Sequence, residues 1–221
     1  MTIRCGGFGS ELGRSMIEML GVLAIVGVLS IGGISAFQKA MNKHKINQVT
    51  EELSLFINEL LRYSADWQRM LVNNGATIMT LSSELDYFVP AKWKRVGTMV
   101  YDGMGNRIAV RLHKQVVGRR PMLGIIYVFY LSGVDKAKVD LCMACFDRIR
   151  SYADSLGGMM TWRRVSDKPG KGLWVYGNAY CDGKTKKCLK DLTLKEMREM
   201  CSIFQGDDDD KVNSFEIYFP L

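Results

Sequence analysis

Five of the six cysteines in this 221-residue chain fall between Cys142 and Cys201, and these are the side chains best placed to do chemistry. Cysteine pairs close disulfides, bind zinc or cycle as dithiols, and their spacing separates these uses. Cys181 and Cys188 stand seven apart around Asp182-Gly183 in "CDGKTKKC", the spacing of a disulfide-closed hairpin. Cys201 then needs a partner from Cys142 or Cys145. Cys142 sits nearer the centre of an apolar helical face, so Cys142–Cys201 is the preferred pairing and Cys145–Cys201 the alternative. Cys142-Met143-Ala144-Cys145 also has the spacing of a redox dithiol, but the βαβ context such a motif needs is missing. A zinc set of Cys142, Cys145, Cys181 and Cys188 fits in its first pair and is too widely spaced in its second.

The remaining candidates are weaker. His44 and His113 have no neighbouring nucleophile or ligand partner; the first is expected to flank a membrane and the second to end a strand at the surface. No phosphate loop, nucleophile elbow or paired-acid motif occurs, so no enzymatic activity, cofactor or metal site is expected. Asp207 to Asp210 cluster carboxylates of the kind calcium takes, but adjacent side chains cannot all face one ion, and a solvated loop is expected. Basic residues lie beside aromatics in "KWKR" (Lys92 to Arg95) and "WRR" (Trp162 to Arg164), with Arg119, Arg120, Lys184, Lys186 and Lys187 elsewhere. Such pairs suit phosphate and stacking contacts, which makes DNA a lesser candidate partner beside the plain reading of a mildly basic surface. With 30 Lys and Arg against 23 Asp and Glu, the net charge of +7 permits an anionic partner without requiring one.

One carboxylate stands apart. Glu18 enters "GRSMIEMLGVLAIVGVLS" just before Met19 to Phe37, 19 consecutive residues without a charge. A helix over that run covers about 28 Å, close to a hydrocarbon thickness. A lone acid at its edge costs a few kcal/mol in lipid and calls for a counter-charge.

The elements around it follow from periodicity. Ile46, Val49, Leu53, Phe56, Ile57, Leu60 and Leu61 recur at three and four, which predicts that the helix continues from the oily run with one apolar stripe. Nothing is expected to break it before Asn73-Asn74-Gly75, and Gly32-Gly33 with Ser35 is its weak point. Strands are predicted over Thr98 to Asp102, Arg107 to Leu112, Leu123 to Gly133 and Trp174 to Tyr180, with Ser214 to Phe219 closing a sheet. Helices are predicted over Lys138 to Leu156, ended by Gly157-Gly158, and over Leu194 to Phe204. A long helix followed by strands gives an α+β fold, the helix packed on an antiparallel sheet.

From Gly13 to Leu29, "GRSMIEMLGVLAIVGVL" resembles the start of a type IV pilin or pseudopilin. In that family a hydrophilic leader ends in glycine, and a prepilin peptidase cuts after it and methylates the new terminus. The resemblance implies a leader at 1–13 that carries away Cys5, cleavage between Gly13 and Arg14 with methylation of Arg14, and an assembly role for Glu18, fifth after the cut. It implies a filament-core half-helix at 14–38, an amphipathic half-helix at 39–75 and a globular head at 76–221. "LSGVDKAKVDLCMACF" and the final "SFEIYF" are similar to the type IVb group, in which a cysteine just after a strand and another before the last strand recur. The implied function is a structural subunit of a pilus-like filament, held single-pass in a bacterial inner membrane and then exported. Its implied partners are other pilins in a homo- or hetero-polymer, the peptidase, the membrane and an inner-membrane assembly platform. The alternatives are a type II secretion pseudopilin and a membrane-anchored binding module that does not polymerise.

Overall fold

The computed structural model describes residues 11–81, 83–97, 99–129, 135–165, 168–202 and 212–221. The chain divides into two units between His44 and Lys45, so the boundary lies a few residues beyond the end of the apolar run. Helix α1, Glu11–Arg62, contributes to both units. In the first unit every side chain from Met16 to His44 is exposed, including Ile17, Leu20, Leu23, Ile25, Leu29, Ile31 and Phe37. Helical structure runs unbroken through Gly32-Gly33, with the Ser35 hydroxyl donating to the Gly32 carbonyl at 2.9 Å.

In the second unit the apolar stripe of α1 is inside. Val49, Leu53, Phe56, Ile57 and Leu60 are buried in one core with the sheet and three further helices. The helix ends earlier than its periodicity suggests. After Arg62 the chain breaks at Tyr63 and resumes as α2, Ser64–Asn74. The Leu60 carbonyl accepts both Tyr63 N–H at 3.2 Å and the Trp67 indole N–H at 2.8 Å, so a tight turn and a side chain take over where the ladder stops. Gly75, at φ 72°, caps α2 in the left-handed region that glycine enters freely.

The strands among the described residues are β1 (Ile78–Leu81), β2 (Lys94–Val96), β3 (Met99–Tyr101), β4 (Arg107–His113), β5 (Met122–Phe129), β6 (Gly158–Val165), β7 (Lys168–Tyr176) and β8 (Val212–Pro220). They form one sheet in the order β2-β3-β4-β5-β8-β6-β7, every pairing antiparallel, with β1 pairing the far end of β4 beside β3. The fold is α+β. Helix α3, Asp135–Arg150, and helix α4, Leu194–Ser202, complete it. Inward-facing Val110, Leu112, Ile125, Tyr127, Phe215, Ile217 and Phe219 meet the stripe of α1 and the Cys142, Phe146 and Ile149 face of α3 in the core. The opposite face carries a smaller cluster of Val117, Met122 and Tyr218.

The last strand joins the sheet as expected, and it lies between β5 and β6. Two further sequence expectations need correction. Gly158 opens strand β6 rather than ending α3, which stops at Arg150 and passes into turns. His113 is not a surface residue: it is buried, edge-on to Tyr218 at 5.5 Å.

Candidate functional site: an exposed apolar helix bearing one carboxylate

The apolar half of α1 is long and apolar enough to cross a membrane, and no part of its most apolar stretch is covered by the protein. A helix that buries its backbone in its own hydrogen bonds and presents apolar side chains on all sides is stable in lipid or against similar helices, not in water. Glu18 is exposed within this surface. Gly13 and Arg14 belong to the first turns of α1. Chemically, the arrangement offers a greasy cylinder with an acid, Glu18, at the leading edge of its uncharged run. An amine of a neighbouring helix is the natural complement to that acid in a medium without water.

The head is fastened by two disulfides. Cys142 on α3 is bonded to Cys201 on α4, a separation of 59 residues, and Cys181 to Cys188 across seven. These bonds use sulfurs that a zinc set or a Cys142–Cys145 dithiol would need. Cys145 is a free thiol, fully buried, and burial with the nearby Asp102 charge pushes its pKa well up, which disfavours the reactive thiolate.

The short disulfide loop is further ordered by Asp182. Its Oδ1 accepts the backbone N–H groups of Lys184, Thr185 and Lys186, each at 2.8 Å, and its Oδ2 the Thr185 hydroxyl at 2.6 Å. These bonds to the charged form hold the carboxyl far below the usual range. Glu196 ties the loop to α4. It accepts from Lys187 at 2.7 Å and, as the return half of a capping box, from Thr193 N–H at 2.8 Å, which lowers its pKa to about 2.

The basic–aromatic pairs disperse in the fold. Trp93 is buried against Phe56 with ring centroids 5.1 Å apart, and its indole donates to Glu52 at 2.8 Å, so it offers no stacking face. Trp162 is half-buried on β6. His44 is exposed on α1. Asp207 to Asp210 lie outside the described residues.

The periodicity gave no sign of the buried polar knot at the turn between β3 and β4. Asp102 Oδ1 accepts Met104 N–H and Asn106 N–H, both at 2.8 Å, and its Oδ2 accepts Asn106 Nδ2 at 3.1 Å and the Tyr127 hydroxyl. The signal available was "DGMGN" itself, since Asp and Asn at turn ends bond the local backbone. Its reach to Tyr127 depends on strand register and was invisible.

Comparisons with known protein families, with curated proteins and with solved structures found no match to this chain.

Proposed function

We propose that this protein is a structural subunit of a type IV pilus-like filament, anchored by α1 in a bacterial inner membrane before it polymerises. The observation that carries the reading is Glu18, a carboxylate directly before the uncharged run Met19 to Phe37, whose side chains are exposed all round. Cleavage after Gly13 would create a new amine at Arg14, four residues before that acid. In a bundle of such helices the Glu18 carboxylate of one subunit neutralises the terminal amine of another, and each charge left alone penalises a subunit that stays in lipid. The α+β head with its helix-packed antiparallel sheet supports the same reading. So do the two disulfides, which suit an oxidising space outside the cytoplasm. On this view the protein works by assembly and performs no catalysis. Its partners are further pilin subunits, the prepilin peptidase and a membrane platform.

A pseudopilin of a type II secretion system has the same parts and differs in cargo. The competing class is an anchored binding module, in which Glu18 has no assembly role. Glu18→Ala separates them: a filament subunit stays folded in the membrane and loses assembly into filaments, seen by shearing cells and blotting the sheared fraction. Unchanged filament yield from Glu18→Ala sinks the assembly reading.

A further inference from the structure

The tetrapeptide Lys92-Trp93-Lys94-Arg95 mixes cations with a ring, and the fold gives its members different tasks. Trp93 turns into the core. Arg95 is paired with Asp86 and donates to the Gly97 carbonyl at 2.8 Å. Lys92 and Lys94 are exposed, and among the described residues neither has an ion-pair partner. Lys92 lies in the turn closed by Trp93 N–H on the Pro90 carbonyl, and Lys94 opens β2 just after it.

Both line one cleft of about 400 Å³. Val96, 65% exposed, and Tyr101 give it apolar surface. Asp102 also lines it, but the oxygens of its carboxylate are committed to Met104, Asn106 and Tyr127 inside the turn, so they do not serve the lysines. Gly103 and Gly105 complete the lining. Gly105 is required by its φ of 84°. Gly103 is not: its φ is ordinary and a Cβ there would meet nothing within 4 Å. Neither turn geometry nor packing asks for glycine at 103; what glycine does there is leave the cleft open.

We propose that this cleft binds a compact organic anion, a carboxylate or phosphate ester carried on one ring-sized body. Lys92 and Lys94 hold the charge, and Val96 and Tyr101 cover the body. Ammonium groups act as point charges and accept either anion. The volume lies at the small end of the range for small-molecule sites, which suits one ring rather than a polymer segment. A neutral ligand makes no use of the two lysines, and a bare inorganic anion leaves Val96 and Tyr101 in water. A free sugar acid or phosphate and the acidic end of a glycan share this chemistry. The proposal stands whether or not the protein forms filaments.

The test is isothermal titration calorimetry of the full chain in detergent micelles with glucuronate, glucose 6-phosphate, glucose and inorganic phosphate. Both ring anions are expected to bind, and glucose is not. Lys92→Ala/Lys94→Ala and, separately, Gly103→Val should each weaken binding about tenfold or more, a loss of at least ~1.4 kcal/mol. Gly103→Val should leave the melting temperature unchanged, so loss of binding there cannot be blamed on the lysine variant's folding. A glucuronate-ended oligosaccharide that binds more tightly than glucuronate identifies a glycan as the source; equal affinity identifies the free anion. No binding of either ring anion at millimolar concentration overturns the proposal. So does wild-type affinity in both variants, or inorganic phosphate binding as tightly as its sugar ester.

Discussion

At the scale of single residues, the head depends on polar groups whose partners are fixed far along the chain. Trp93 donates to Glu52 across 41 residues, joining the segment before β2 to α1. Trp93→Phe keeps most of the ring and removes the donor, and should cost about 1–2 kcal/mol in denaturant unfolding, because Glu52 is left part-buried with one partner fewer. His113 makes a prediction in pH. Burial, and secondarily the Arg111 charge, lower its pKa below the ordinary 6.5. The folded state therefore holds the neutral ring while the unfolded chain takes up a proton near 6.5. The stability due to neutral His113 is complete above pH 6.5 and is lost as pH falls from there towards the folded pKa. Unfolding midpoints measured between pH 7.5 and 5 should fall for the wild type and fall less for His113→Phe; equal slopes would remove His113 from the account.

At the scale of elements, the two disulfides should contribute unequally. On the chain-entropy account a 59-residue loop is worth about 4 kcal/mol and a seven-residue loop about 2 kcal/mol. Cys142→Ser/Cys201→Ser should accordingly lower the unfolding midpoint more than Cys181→Ser/Cys188→Ser, since only the first joins α3 to α4. How legible these elements were in the sequence depends on where their signal lies. Strand β5 is buried at every position from Met122 to Phe129, and its run of β-branched and aromatic residues announced it. Strand β6 was missed because Gly157-Gly158 read as a helix stop and "MMTWRRV" does not alternate cleanly. Strand β2 was hidden by its charges, since an edge strand of three residues has little to bury. The break at Tyr63 has neither glycine nor proline; it rests on Trp67 reaching back to the Leu60 carbonyl, a contact that helical periodicity cannot encode. The central position of β8 is likewise a matter of lateral order, on which chain order is silent. Glu18 stood out in the sequence because a charge beside an uncharged run is a local signal.

At the scale of the whole molecule, the two units are built on opposite principles. The head hides its apolar residues around α1, α3 and the sheet, as a protein in water must. From Met16 to Phe37 the first unit shows its apolar residues on every side, a surface apolar and long enough to cross a membrane. Glu18 stands in that exposed apolar surface, and on the filament reading it sets the register of assembly. If the filament reading holds, the amine that answers Glu18 exists only after the chain has been cut at Gly13. The most direct measurement is therefore the mass of the N-terminal peptide from protein taken out of native membranes. The account predicts a chain beginning at a methylated Arg14. A chain that still begins at Met1 would contradict it, because Glu18 would then have no terminal amine to pair with.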